Sequence, residues 1–270
     1  MNARTDPGHR VVRYPACAGR FYPADPAELR GDIHRYLAEV NPPEGPAPKA
    51  IIVPHAGYIY SGPIAASAYA RLARARKTVR RVVLIGPSHY ADFPGLAATS
   101  ADAFATPLGE VPVDAEALEC ARSLSQVSFS EEAHRPEHSL EVHLPFLQAV
   151  LEEFTIVPLL VCEASEQAIG QVLRLLWGGP ETCVVVSSDL SHYHSYKAAR
   201  ELDRATAQAI VALRGEELDG HQACGYQPIR GLLWTARREN LRCQSIDLRN
   251  SGDTAGSRDR VVGYGAFVLN

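Results

Sequence analysis

The sequence predicts an α/β fold, a single domain with a central, mostly parallel mixed sheet flanked by helices on both faces. Three observations point there. Short apolar runs closed by Pro or Gly recur, clearest in Ala50-Ile51-Ile52-Val53-Pro54 and Val82-Val83-Leu84-Ile85-Gly86, and such runs read as buried strands. Segments of helical periodicity alternate with them, as βαβ units require. No repeat, low-complexity tract or composition shift divides the 270 residues, and 46% hydrophobic content supplies a sizeable core.

Residues 1–25 read as an irregular arm packed on the domain. Asp25 is placed as an N-cap, with Pro26 at the first helical position and Glu28 completing a capping box, so a helix runs to about Val40. The Pro-rich stretch 41–48 is a loop. Strands are expected at 49–54, 81–86, 95–100, 154–162, 182–188, 242–249 and 261–269. Helices fit 62–75, 114–124, 139–152, 165–177, 195–214 and 225–240. Turn residues rich in Gly, Ser and Asp join the last two strands, which read as an antiparallel edge. The cluster Arg71–Arg81 reads as the solvated end of a helix and a loop.

A net charge of −4 argues against a nucleic-acid binder. No stretch approaches the ~20 apolar residues that span a bilayer. The first residues carry Arg4, His9, Arg10 and Arg13 with no apolar core, so no secretory signal is expected. Six cysteines without CxxC spacing read as free thiols, and the expected location is cytoplasmic.

Two histidines stand directly after apolar strands: His55, and His89 in Gly86-Pro87-Ser88-His89. The carboxyl ends of strands in an open α/β sheet are where ligands bind, so this pair suggests a metal or acid/base site. A third strand ends in Ser187-Ser188-Asp189-Leu190-Ser191-His192-Tyr193-His194. There Asp189 could orient an imidazole and His192 could act as general acid or base. A Ser-His-Asp triad is weakened by the lack of a GxSxG elbow, and His194 reads as facing solvent. Glu137-His138-Ser139-Leu140-Glu141-Val142-His143 is not HExxH and reads as a pocket wall that orients imidazoles. Cys224, just before an apolar helix, would have its thiolate favoured by the helix dipole. The polar turn Arg249–Ser257 reads as a binding loop or a plain hairpin connection.

Taken together, Pro54-His55-Ala56-Gly57-Tyr58 with Ser61-Gly62, Gly86-Pro87-Ser88-His89, the 137–145 block, Ser187–His192, Cys224-Gly225 with Pro228-Ile229, and Asn250-Ser251-Gly252-Asp253-Thr254 resemble the Memo family. The blocks span nearly the whole chain in the family's order. In prokaryotes the family is the B component of the AmmeMemoRadiSam grouping, which implies Amme-type and radical SAM proteins as partners. The resemblance also implies a fold similar to class III LigB-like extradiol dioxygenases, which hold Fe(II) with two histidines and a carboxylate. Here the third ligand position matches a cysteine, so the implied ligands are His55, His89 and Cys224. Asp189, His192, His138 and Glu141 would lie beside the pocket.

The expected function is therefore a metal-dependent oxidoreductase or hydrolase with iron first, and copper or zinc behind it. Its substrate would be a small cyclic or aromatic molecule, or a peptide, in the pocket. His192 with Asp189 would carry acid/base work, and Tyr58, His138 and Glu141 would line the substrate side. Two rivals are a non-catalytic binding or redox scaffold, and a metal-free hydrolase using Cys224 and His192.

Overall fold

A computed structural model describes residues 10–41 and 45–270; the first nine residues of the arm and 42–44 of the Pro-rich loop lie outside the described residues. The chain begins with β1 (Val12–Arg13), α1 (Pro26–Ala38), β2 (Ala50–Val53), α2 (Tyr58–Leu72), β3 (Arg81–Pro87) and β4 (Gly95–Ala98). It continues through β5 (Ala103–Thr106), β6 (Gly109–Pro112), α3 (Ala115–Ala121), β7 (Val127–Phe129), α4 (Glu131–His134), α5 (Leu144–Val150) and β8 (Thr155–Cys162). The last part holds α6 (Glu166–Leu175), β9 (Thr182–Ser187), β10 (His192–His194), α7 (Tyr196–Val211), α8 (Tyr226–Arg238), β11 (Cys243–Asn250) and β12 (Val261–Leu269).

The nine-stranded sheet runs β10-β12-β2-β9-β3-β8-β4-β7, with β11 also paired to β12. Its centre, β2-β9-β3-β8, is parallel, while β12 on one side and β4 on the other are antiparallel to their inner neighbours. The expected antiparallel pairing of β11 with β12 is present, but β12 is no edge, because it also pairs with β2 and β10. A second, three-stranded sheet, β1-β5-β6, was not expected; its strands have two to four residues and too little apolar alternation to register in sequence.

Side chains alternate across a strand, and this divides the core in two. Ile51, Val53, Val82, Leu84 and Val185 join one apolar cluster with residues of α1, α2 and α5. Ala50, Ile52, Val83, Ile85, Val184 and Val186 join another with residues of α3, α6 and α8. Both faces are covered, which is why the central strands read as unbroken apolar runs. Helices α6 and α8 approach closely at Gly231, where a Cβ would meet Ile169 Cγ2 at 2.2 Å.

The short β7, α4 and β10 were not expected, and two helices and the arginine cluster differ from expectation. Helix α2 starts at Tyr58, four residues before the expected 62, so Ser61-Gly62-Pro63 lies inside it. The helix expected from 139 begins only at Leu144, with Pro145 in its first turn, where a missing N–H costs nothing; a 3-10 turn, Glu141–His143, precedes it. Arg71 is buried, whereas Arg76 and Arg80 are exposed as expected and pair with Glu152 and Glu153. Among the described residues no helix is long and apolar enough to cross a membrane.

Candidate metal centre

The carboxyl ends of β2, β9 and β3 lie side by side, and each delivers one polar residue to the same place. His55 follows β2, Asp189 follows β9 and His89 follows β3. The two histidine strands are not neighbours, since β9 lies between them, yet the His55 and His89 rings are 5.1 Å apart. A cleft of about 610 Å³ opens over these strand ends. Its walls carry Phe21 from the arm, Tyr60 from α2, Tyr264 from β12, and Ser251 and Ser257 from the β11–β12 loop. That loop is thus both hairpin connection and cleft wall.

His55, His89 and His138 each offer a ring nitrogen, and the three atoms lie within 4.8 Å of one another. The His138 ring stacks on His89 at 4.6 Å and lies tilted against Phe21 at 4.5 Å. Burial holds the His55 and His138 imidazoles neutral, the form that binds metal. Burial lowers His55 well below its usual range, helped by the neighbouring His89 and His138 rings. Burial takes His138 down to about 4 against the raising effect of the Glu137 carboxylate.

Glu137 organises two of the rings. His89 Nδ1 donates to its Oε1 at 2.9 Å, and the His89 backbone N–H donates to Oε2 at 2.6 Å. The carboxylate thereby fixes the His89 ring and leaves Nε2 bare, the usual support for a metal-binding histidine. Burial pushes the Glu137 carboxyl up, but the His89 bonds and the Ser139 N–H outweigh it and bring it to about 2. His138 Nδ1 lies 3.3 Å from Glu137 Oε1 without making a hydrogen bond, so a buried ring nitrogen has no partner among the described residues. Three imidazoles, one with an orphaned nitrogen, make a donor set suited to iron, copper or zinc.

The other expected site residues fall in different places. Cys224 is not in the histidine group and does not line the cleft; its Sγ lies 3.3 Å from His55 Nε2 and accepts from the Asp189 N–H at 3.3 Å. The dipole argument for a thiolate fails here, because burial, reinforced by the Asp189 carboxylate, pushes the thiol up to about 12. Among the described residues no ring hydrogen-bonds to the Asp189 carboxylate. Its Oδ1 accepts the backbone N–H groups of His55 (2.8 Å) and Ala56 (3.3 Å), and burial raises its pKa. His192 does line the cleft, and His194 is exposed.

Two substrate-side residues need correction. Tyr58 is buried, and its hydroxyl donates to the Val142 carbonyl at 2.7 Å. Two positions along a helix turn a side chain to the other face, so Tyr60 takes the cleft place once α2 starts at Tyr58. Glu141 is fully buried away from the cleft and clamps the arm instead. It accepts from Arg13 Nη1 (2.8 Å), Ala16 N (2.7 Å), Cys17 N (3.0 Å), Cys17 Sγ (2.9 Å) and Tyr22 OH (2.7 Å). Phe21, Tyr264 and Arg260 also escaped sequence reading, since nothing in their neighbourhoods marks them as cleft residues.

Comparison with known proteins bears on the family. The profile of Memo-like proteins matches residues 13–268. A MEMO1 family protein of Aquifex aeolicus is 38% identical over 96% of this chain and 99% of its own length. One of Sulfolobus acidocaldarius is 35% identical over 94% of this chain and 98% of its own. Among solved structures, an uncharacterized protein of Escherichia coli K12 superposes with a TM-score of 0.48 at 14% identity, covering 80% of this chain and 98% of that one. With the profile spanning nearly the whole chain, this protein belongs to the Memo family.

Proposed function

We propose that the cleft is a mononuclear metal centre serving a metal-dependent oxidoreductase or hydrolase, with His55, His89 and His138 as the imidazole ligands. The observation that carries this reading is the convergence of three ring nitrogens within 4.8 Å at the floor of an open cleft. Iron(II) comes first by the resemblance to extradiol dioxygenases, and copper or zinc suits the same donors. When bound, the ion supplies Lewis acidity and, for iron or copper, access to redox chemistry.

The chain's own residues do the rest. Phe21, Tyr60 and Tyr264 give the cleft flat aromatic walls that suit a small cyclic or aromatic substrate. His192 stands in the lining as the acid/base candidate. Glu137 holds the His89 ring, and Asp189 holds the backbone at His55 and Ala56. The thiol–imidazole contact of Cys224 with His55 favours a second reading, a cysteine nucleophile, but its raised pKa and its place outside the cleft lining weigh against it.

Elemental analysis of anaerobically purified protein tests the centre. About one metal per chain is expected in the wild type, retained in Cys224→Ser and lost in His89→Ala and His138→Ala with the fold intact. A wild-type protein that is metal-free and takes up no Fe(II), Cu(I) or Zn(II) would sink the reading. Loss of metal in Cys224→Ser, with retention in His138→Ala, would return the thiol to the ligand set.

A further inference from the structure

A serine hydroxyl has one proton to give and two lone pairs with which to accept. Ser187 Oγ, at the end of β9, has three partners, so every role can be assigned. The Ser139 carbonyl, 2.6 Å away, can only accept, and it takes the hydroxyl proton. His55 Nδ1 at 2.6 Å and His143 Nε2 at 2.8 Å must then both donate to Ser187. No other assignment satisfies all three contacts.

The consequences run in both directions. His143, with its proton on Nε2, accepts at Nδ1 from the Tyr69 hydroxyl at 3.0 Å. The Tyr69 ring is itself stacked on Phe146, with centroids 4.9 Å apart and planes 5° from parallel. His55, with its proton on Nδ1, presents a bare Nε2, and the Cys224 sulfur faces that nitrogen at 3.3 Å. Ser187, His143, Tyr69 and His55 are all buried. Water therefore does not compete for these bonds, and burial keeps His143 neutral, its pKa down at about 3.

We propose that Ser187, backed by His143 and Tyr69, is a positioning unit that locks His55 in the Nδ1–H tautomer and so presents Nε2 as a ready ligand. Neutral imidazole in water favours the other tautomer, and which nitrogen carries the proton is set by the bond the partner nitrogen makes. Glu137 does this for His89 with a carboxylate; Ser187 does it for His55 with a neutral hydroxyl, adding no charge beneath the site. The role as a ligand support rests on the metal-centre reading, whereas the tautomer does not.

Nitrogen-15 NMR of the imidazole rings in the metal-free full-length protein reads the tautomers directly, and a Zn(II) titration reads their consequence. The wild type is expected to show Nδ1–H at His55 and Nε2–H at His143. In Ser187→Ala, His55 is expected to gain Nε2–H, and Zn(II) affinity to fall on the order of 10–100-fold, as for loss of an outer hydrogen bond to a ligand histidine. Nε2–H at His55 in the wild type, or an unchanged His55 tautomer in Ser187→Ala, overturns the proposal. Should Ser187→Ala not fold, the two wild-type tautomers still decide the assignment. Correct tautomers in a wild type that takes up no Zn(II) would sink the metal reading while supporting the lock.

Discussion

His134 shows what burial does to an imidazole in this fold outside the histidine cluster. Its Nε2 donates to the Ala97 carbonyl at 2.9 Å, and burial takes its pKa from 6.5 to about 4. Above pH 6.5 both folded and unfolded chains hold it neutral, and its contribution to stability is complete. Between 6.5 and about 4 only the unfolded chain takes up the proton, so stability falls as pH falls, by about 3 kcal/mol across the window. His134→Gln, whose amide can keep the bond to Ala97, should flatten the pH dependence of the urea-unfolding free energy over that window. An unchanged slope would count against the assignment. Reading single residues from sequence reached each of the three clustered imidazoles. His138 lines the cleft from the 137–140 segment, which is non-helical although a helix was expected from 139, and its ring lies against His89. The Tyr58–Tyr60 exchange comes from a helix start displaced by four residues.

Among the elements, the N-terminal arm depends most on one side chain. Glu141 accepts five bonds from arm residues, and Arg13 adds two more, to the carbonyls of His134 and Glu137. Removing one partner of a buried ion pair strands the other charge, at a cost of about 3–5 kcal/mol. Glu141→Gln should therefore lower the unfolding free energy by that order and speed trypsin cleavage after the exposed Arg20. Equal cleavage rates in variant and wild type would refute the clamp. The arm brings Phe21 onto His138, so the same change should loosen one wall of the cleft. In sequence, Glu141 looked like a pocket carboxylate because its partners, Arg13 to Tyr22, lie more than a hundred residues away. The central strands β2, β3, β8 and β9, by contrast, were legible within a residue or two, since burial on both faces leaves an apolar run that needs no distant information.

For the whole molecule, the metal reading makes a thermodynamic demand. A ligand that binds only the folded chain stabilises it by mass action, about 2.7 kcal/mol at a hundred times Kd. For a chain of this size that should raise Tm by roughly 5–10 °C with Zn(II), and the rise should vanish in His138→Ala. An equal rise in that variant would place the ion elsewhere. The overall architecture was readable because strand and helix signals alternate cleanly; the sheet order was not, because it depends on pairings between distant segments.

That order has a consequence for how the molecule is made. Strands β2 and β3 leave the ribosome early, each carrying its histidine, yet they are not partners in the finished sheet; β9, synthesised about a hundred residues after β3, is inserted between them. The distance from His55 to His89 is therefore set by a segment that does not exist when both are first translated. β12, the final strand, closes the other flank of β2. Such non-local pairing is slow, and it makes the meeting of His55 with His89 a late event, one that waits for β9 and cannot occur in a fragment that ends before it.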